Sequence, residues 1–302
     1  MKRIFLLLLL LITTYTSQAQ IRPFIDDYYH SPVLSNPSLL ARNNYTSINL
    51  TVYQRWGVLQ SPVRNSLSFS TKFKKSGIAM AVLSDINGAL INNGLGISYF
   101  YDATLTAKKH LAFSISGYGM SEFINLNGME NVDETAANLT NRYYPQIGAG
   151  ILYYTPKLNI GLSAANMLKS TDFIVRDSAT NPTLYTLDIS YNYSHPIELY
   201  FFQPRLVFMY SQDYSMLEGS FYFYLLKMLK IGAALGNKSY EYSGSYDYLS
   251  ILMGIKIKNK FFFNYRFDYS FDDFMPGQMR IHNSISLIYN IYKETDQMPR
   301  FF

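Results

Sequence analysis

The chain of 302 residues contains no cysteine, one tryptophan and four histidines. Because cysteine is absent, neither a disulfide nor a lipid-modified cysteine can hold the protein in place. After residue 20, no apolar run approaches the roughly 18 residues that a membrane helix needs. Charged residues make up only 16% of the chain, and the net charge of +5 is spread out, which argues against a nucleic-acid-binding surface.

Patterns typical of catalytic and metal sites are also missing. No two histidines stand at the i, i+2 or i, i+4 spacing of neighbouring metal ligands, and no Gly-x-Ser-x-Gly motif marks a nucleophile. Glu130, Asp133 and Glu134 could hold a cation, but a solvated acidic loop is the better interpretation. Gly148-Ala149-Gly150 lies in an expected strand, where glycine lets a sheet bend or side chains cross its interior. We therefore expect no enzyme activity, no metal and no cofactor.

The first residues have the three parts of a secretory signal peptide. Lys2 and Arg3 form a basic start, which is followed by an unbroken apolar run from Ile4 to Ile12. Ser17-Gln18-Ala19 then provides a small-x-small cleavage site. We expect this peptide, residues 1–19, to be removed.

Aromatic residues and period-two alternation are what the chain has in abundance. The 28 Tyr and 21 Phe are typical of the girdles at both interfaces of a membrane barrel, although a soluble β-sandwich could also be rich in Tyr. Between residues 47 and 85, apolar side chains alternate with small or polar ones. In one segment Ser66, Ser68 and Ser70 face one side. Leu67 and Phe69 face the other, which is the pattern of a strand with one apolar face.

The same alternation recurs along the chain and predicts an all-β fold. We expect a closed, antiparallel transmembrane β-barrel of the outer membrane, with about 14 strands, over residues 46–292. The predicted strands are 46–53, 65–73, 77–84, 92–102, 110–120, 144–154, 158–166, 183–192, 198–210, 214–225, 230–237, 247–257, 260–269 and 280–291.

The connections between these strands differ in length on the two sides of the barrel. Even-numbered connections are short, whereas odd-numbered ones are long except for 211–213. Since outer-membrane barrels keep short turns in the periplasm, the short turns and both termini are predicted to be periplasmic. Long loops are expected at 54–64, 85–91, 121–143, 167–182, 238–246 and 270–279.

Two flanking segments leave the alternation. Residues 20–45 are crowded with Pro, Asn, Asp and Ser, which predicts an irregular N-terminal segment, either in the periplasm or folded into the barrel mouth. Residues 293–302 are expected to form a short C-terminal tail.

The first long loop has the composition of a protein-binding hot spot, an exposed tryptophan beside an arginine. It carries Arg55, Trp56 and Gly57, and Pro62 follows. Because Gly57 and Pro62 limit how the loop bends, we expect these four residues to contact a protein partner. A girdle tryptophan at the membrane interface is an equal alternative.

Several short motifs, taken in order, resemble those of the PorP/SprF family of type IX secretion system outer-membrane proteins. The motifs are Tyr28-Tyr29-His30-Ser31-Pro32, Ser35-Asn36-Pro37-Ser38, Tyr53-Gln54-Arg55-Trp56-Gly57, Gly77 to Asp85, Pro145-Gln146-Ile147-Gly148-Ala149-Gly150, Gly161-Leu162-Ser163, Tyr265-Arg266-Phe267-Asp268-Tyr269 and His282-Asn283-Ser284-Ile285.

The resemblance implies a non-enzymatic barrel that helps cargo proteins, often large adhesins, to be exported or anchored at the cell surface. Its partners would be the C-terminal domain of the cargo, the type IX secretion machinery and outer-membrane lipid. Tyr28, Tyr29, Asn36 and Pro37 are a second candidate contact, in this case with the machinery. Two other classes stay open at this point: a channel or transporter for small solutes, and an enzyme with its site at the barrel rim.

Overall fold

A computed structural model of the chain describes residues 32–55, 63–87, 90–124, 141–168, 182–194, 200–226, 228–240, 244–258, 260–271 and 281–292. The strands are β1 (Thr46–Arg55), β2 (Val63–Phe73), β3 (Ser76–Asn87), β4 (Leu90–Thr106), β5 (Lys109–Ile124), β6 (Asn141–Tyr154), β7 (Leu158–Ala165), β8 (Leu184–Tyr191), β9 (Tyr193–Ser194), β10 (Tyr200–Ser211), β11 (Tyr214–Leu225), β12 (Leu229–Tyr240), β13 (Gly244–Ile257), β14 (Phe261–Ser270) and β15 (Ile281–Ile291).

These strands form a closed antiparallel barrel, which confirms the predicted fold class. Each strand pairs with its neighbours in sequence, and β15 pairs with β1 from Ile291 against Thr46 to His282 against Arg55. The two-residue β9 continues β8 beyond Asn192, and both pair with β10, so the barrel has 14 strands. Closure pairs the first strand with the last, so that neither is left as a sheet edge.

The alternating side chains take the two faces that the sequence predicts. On β2, Ser66, Ser68 and Ser70 are buried inside the barrel, while the outward Leu67 is 49% exposed. Outward aromatic side chains lie near both ends of the barrel. Those near the end at which β2 turns into β3 include Phe73, Tyr99, Tyr101, Tyr191, Tyr200 and Phe261, and those near the opposite end include Tyr143, Tyr185 and Tyr210. The barrel thus presents an apolar outside with an aromatic band, as a lipid-facing surface requires.

Other aromatic side chains point inward, which the girdle interpretation did not foresee. Tyr222, Tyr224, Tyr248 and Phe100 are almost completely buried, although they lie on barrel strands. Much of the aromatic content therefore fills the barrel interior.

The two ends of the barrel have different connections. At one, the short-turn end, two or three residues join β2 to β3, β4 to β5 and β6 to β7. The other, the loop end, has the long connections 56–62, 125–140, 166–183 and 271–280 and three short ones, 88–89, 212–213 and 241–243.

Two of the expected loops are wrong. Within 85–91, β3 continues to Asn87 and β4 begins at Leu90; within 238–246, β12 continues to Tyr240 and β13 begins at Gly244. At the loop end, polar residues that the sequence analysis assigned to loops lie in the strands. Asp85, for example, is an inward strand residue opposite Arg64.

The N-terminal segment is ordered and lies inside the barrel over residues 32–45. The sequence predicted an irregular segment, but an α-helical turn, α1 (Pro32–Ser35), and a 3-10 helix (Pro37–Arg42) form here. Asn36 is the N-cap of the second helix, and its side chain accepts a hydrogen bond from the Ser38 backbone N–H. Pro37 at the first helical position has the φ angle that a helix start requires. Neither described helix is long and apolar enough to span a membrane.

Candidate functional site

Residues 32–45, here called the N-terminal plug, pack against the inner wall formed by β3 to β7. Val33, Leu40 and Ala41 of the plug form one buried apolar cluster with the wall. The wall contributes Ala79, Ala81, Phe100, Ala112 and Leu152 to the cluster. Three of these wall residues are alanine, so the plug backbone can come close to the sheet, and close packing is what holds apolar surfaces together.

The side chain of Asn36 occupies a notch in this wall. Its amide donates a hydrogen bond to the Leu162 carbonyl at 3.3 Å. A Cβ atom on Gly150 would overlap the Asn36 side-chain oxygen, and one on Gly161 would lie 3.2 Å from the Asn36 amide nitrogen. Next to the notch, the Ser163 hydroxyl donates to the Ser35 carbonyl at 2.9 Å. Two glycines on neighbouring strands thus make the space in which the helix cap is seated.

The C-terminal end of the plug is held near the short-turn end. The Ala41 carbonyl accepts hydrogen bonds from Lys72 Nζ and, at 3.5 Å, from the Tyr154 hydroxyl. Both donors also contact Asp102, at 2.8 Å for Lys72 and 2.7 Å for Tyr154. His110 stacks on Tyr154 with ring centroids 4.6 Å apart, and its Nδ1 lies 3.2 Å from the other Asp102 oxygen. This group links the plug to four strands at once.

The opposite side of the interior is crossed by buried ion pairs. Arg266 contacts Glu218 and Asp268, each at 2.7 Å, and the Tyr248 hydroxyl donates to Glu218 at 2.7 Å. Arg205 binds Asp188 through two hydrogen bonds of 2.9 and 2.5 Å. Buried charges are stable only when paired and hydrogen-bonded in this way. Together with inward tyrosines, these pairs line the part of the lumen opposite the plug.

A separate cluster lies inside the loop end, below the first loop. Tyr53 on β1 and Arg64 on β2 belong to the two strands that flank this loop, and they lie opposite each other in the ladder. Arg64 contacts Asp85 on β3 at 3.0 Å and stands over the Tyr53 ring at 5.7 Å. His282 on β15 lies 5.9 Å from the same ring, and all four side chains are buried. The strands that carry the first loop are therefore tied together at its base.

The predicted contact residues fall into two groups. Trp56, Gly57 and Pro62, together with Tyr28 and Tyr29, lie outside the described residues. Arg55 is the last residue of β1, two positions after Tyr53 of the loop-end cluster. Its side chain is not among those that the structure describes.

Asn36 and Pro37 are buried between the plug and the wall. A partner cannot contact these two side chains while the plug is seated.

Sequence reasoning missed the residues that hold the plug, Lys72, Asp102 and Tyr154, and those that cross the lumen. One signal was available: charged residues at inward positions of apolar strands, such as Asp102, Asp188, Glu218 and Arg266. In the described part of the chain, no three His, Cys, Asp or Glu side chains are grouped so as to hold a metal ion.

Comparison with known proteins supports both family and fold. A family model described as type IX secretion system membrane protein PorP/SprF matches residues 17–287. No curated protein sequence matches the chain.

Solved structures similar to the barrel are outer-membrane proteins of low sequence identity. A monoaromatic hydrocarbon channel, CymD, is 12% identical with a TM-score of 0.60, over 87% of this chain and 93% of its own. The toluene transporter TodX of P. putida is 12% identical with a TM-score of 0.53, over 88% and 95%. The outer membrane protein Omp33 of Acinetobacter baumannii is 9% identical with a TM-score of 0.52, over 82% and 97%. At these identities the likeness concerns the fold alone.

Proposed function

Because this chain belongs to the PorP/SprF family of type IX secretion system membrane proteins, we propose that it helps specific cargo proteins to be exported or anchored at the cell surface. It does so through protein contacts with the C-terminal domain of the cargo and with the secretion machinery, and it has no catalytic role. The barrel sits in the outer membrane with its short-turn end in the periplasm and its loop end outside.

The observation that carries this proposal is the occupied lumen. The N-terminal plug is seated on β3 to β7 by an apolar cluster, a capped helix and several hydrogen bonds. Ion pairs and tyrosines line the facing side and narrow the remaining space. A barrel filled in this way acts through its exposed ends more readily than by passing solutes.

The first loop is the outer contact in this proposal. The strand residues at its base, Tyr53 and Arg64, are held by ladder pairing and by the Arg64–Asp85 ion pair. A loop with a fixed base loses less conformational freedom when it binds, so an aromatic anchor such as Trp56 contributes more of its contact energy to affinity.

Single substitution of Trp56→Ala or Arg55→Ala tests the proposal. Truncating a buried interface tryptophan commonly costs about 2 kcal/mol or more, roughly a thirtyfold loss of affinity. We expect each variant to reduce surface display of the cargo, measured by antibody labelling of intact cells, while the barrel still inserts into the outer membrane.

Tyr143→Ala is the matched control. Tyr143 is an outward aromatic residue on β6 toward the loop end, 79% exposed, and it does not belong to the first loop. If Trp56 only seats the barrel in the membrane, Trp56→Ala and Tyr143→Ala will have the same effect on surface display. Normal display in both loop variants, together with loss of display on substitution of Tyr28 and Tyr29, would move the functional contact to the N-terminal segment.

A solute channel is the second candidate function, because two proteins of similar fold are described as a hydrocarbon channel and a toluene transporter. The seated plug argues against it for the intact protein. The conductance of the intact protein, compared with that of a variant without residues 21–44, separates the two functions.

A further inference from the structure

The first described residues of the N-terminal plug lie in the half of the lumen nearer the loop end. The Val33 carbonyl accepts a hydrogen bond from the Tyr118 hydroxyl at 2.9 Å. Leu34 packs against a buried apolar cluster of the wall, which consists of Leu83, Met120 and Tyr144. Each of these three wall residues stands within four positions of the loop end of its strand.

The last residues of the plug lie at the opposite, short-turn end. The Ala41 carbonyl accepts hydrogen bonds from Lys72, one position before the end of β2, and from Tyr154, the last residue of β6. The Tyr45 ring packs edge-on against Tyr292 with centroids 5.2 Å apart, where β15 meets β1. Followed backwards from β1, the chain therefore runs from the short-turn end toward the loop end.

Residues 21–31 precede the plug and start from its position beside Tyr118. Tyr118 stands six positions from the loop end of β5 at Ile124, and nine from the other end at Lys109. At about 3.3 Å for each strand residue, the loop end is about 20 Å away and the short-turn end about 30 Å. Eleven residues in extended form span about 36 Å, which is enough to pass the loop end. A return to the short-turn end would be longer and would take the chain back past the rest of the plug.

The wall between Val33 and the loop end carries polar groups that an extended chain can bind. Gln146 lies opposite Tyr118 in the ladder, and Asn92 lies opposite Glu122, nearer the loop end. Gln146 and Asn92 are buried, and within the described part of the chain neither the Gln146 amide nor the Asn92 oxygen has a hydrogen-bond partner. Buried amides in folded proteins are nearly always hydrogen-bonded. The backbone N–H and C=O groups of a chain that runs over this wall supply such partners.

We propose that residues 21–31 follow the inner wall of β4 to β6 to the loop end, where they form part of the surface that meets a protein partner. That this end faces the outside rests on the proposed function. Tyr28 precedes Pro32 by four positions, a reach of about 13 Å, which equals the distance from Met120 to the end of β5. Tyr28 and Tyr29 thus come to the rim of the loop end. Their partner is an extracellular protein, whereas the sequence predicts a contact with the secretion machinery.

Single cysteine substitutions test this path, because the chain has no cysteine of its own. The whole protein is labelled in intact cells with a maleimide coupled to polyethylene glycol, which does not cross the outer membrane and retards the labelled chain on gels. We expect Asp26→Cys to be labelled in intact cells, because Asp26 precedes Pro32 by six positions, a reach of about 20 Å that extends beyond the rim.

Gln212→Cys and Lys157→Cys are the matched controls, because both positions are exposed in short turns at opposite ends of the barrel. Gln212 lies between β10 and β11 at the loop end, and Lys157 lies between β6 and β7 at the short-turn end. With the loop end outside, Gln212→Cys is labelled in intact cells and Lys157→Cys only after the outer membrane is permeabilised. The reverse result in these two controls contradicts the orientation given with the proposed function, and Asp26→Cys should still follow Gln212→Cys.

Heat-modifiable migration of each variant shows that its barrel has folded. Labelling of Asp26→Cys that follows Lys157→Cys overturns the proposal, since it places residues 21–31 at the short-turn end. Asp26→Cys that stays unlabelled after permeabilisation also overturns it, because a segment enclosed in the lumen cannot meet a partner.

Discussion

Asn36 combines two roles that belong to different levels of the structure. Its oxygen caps the 3-10 helix by accepting from the backbone and hydroxyl of Ser38, at 3.1 and 2.5 Å. Its amide nitrogen reaches the Leu162 carbonyl of the wall. Both need the space that Gly150 leaves, because a methyl group there would overlap the Asn36 oxygen and lie 2.7 Å from the Ser114 hydroxyl.

At this scale we predict that Gly150→Ala unseats the plug. Adding a methyl group to a filled site costs about 1–3 kcal/mol, because neighbouring groups must shift. The expected result is faster cleavage of the N-terminal segment by added protease and a lower unfolding temperature in detergent.

The control is Gly119→Ala, one strand away. A Cβ at Gly119 meets nothing within 4 Å, and the position faces outward. This variant should keep the cleavage rate and the unfolding temperature of the parent protein. Equal sensitivity of the two variants would mean that the notch at Gly150 does not hold the plug.

At the scale of elements, the plug is bound to the wall by side-chain packing and side-chain hydrogen bonds rather than by strand pairing. It uses the apolar cluster around Leu40, the Asn36 notch and the Ala41 carbonyl that accepts from Lys72 and Tyr154. None of these contacts is part of the barrel ladder. Removing the plug therefore leaves the pairing of all strands intact.

We predict that deletion of residues 21–44 opens the barrel. In planar bilayers the intact mature protein should show no steady large conductance, whereas the deletion variant should conduct, because its polar lumen loses the segment that occupies it. Gly150→Ala should give brief openings. Steady conductance from the intact protein that the deletion leaves unchanged would favour the channel function.

At the scale of the whole molecule, closure of the barrel governs behaviour in solution. The ladder is continuous around 14 strands, and the outward side chains of β2, β4, β12 and β13 are apolar and exposed. Such a surface requires lipid or detergent. A closed ladder has no free edge strand from which unfolding could begin.

We therefore predict β-dominated circular dichroism in detergent and different migration on gels for boiled and unboiled samples. The substitutions of Trp56 and Gly150 should keep this heat-modifiable migration, since neither of them breaks the ladder. A processed chain that stays soluble and monodisperse without detergent would contradict the membrane barrel.

The sequence alone determined the strands and therefore the barrel. Predicted and observed strands agree in number and, for most, to within two or three residues at each end, as for 214–225 and for 281–291 against 280–291. The reason is local: side chains alternate between two solvents with a period of two, and this signal is present in every short segment. It weakened only where both faces are polar, as at Asp85 and Asn92.

Only the tertiary structure decided what fills the barrel and which residues meet there. Asn36 and Leu162 are separated by 126 positions, and Tyr53 contacts His282 only because the last strand pairs with the first. Residues that carried the family resemblance as separate motifs, among them Asn36, Gly150 and Tyr53, prove to be contacts inside the lumen. The period-two alternation predicts only that a side chain points inward. Which partner it meets there depends on the register and closure of the whole sheet, which no local segment contains.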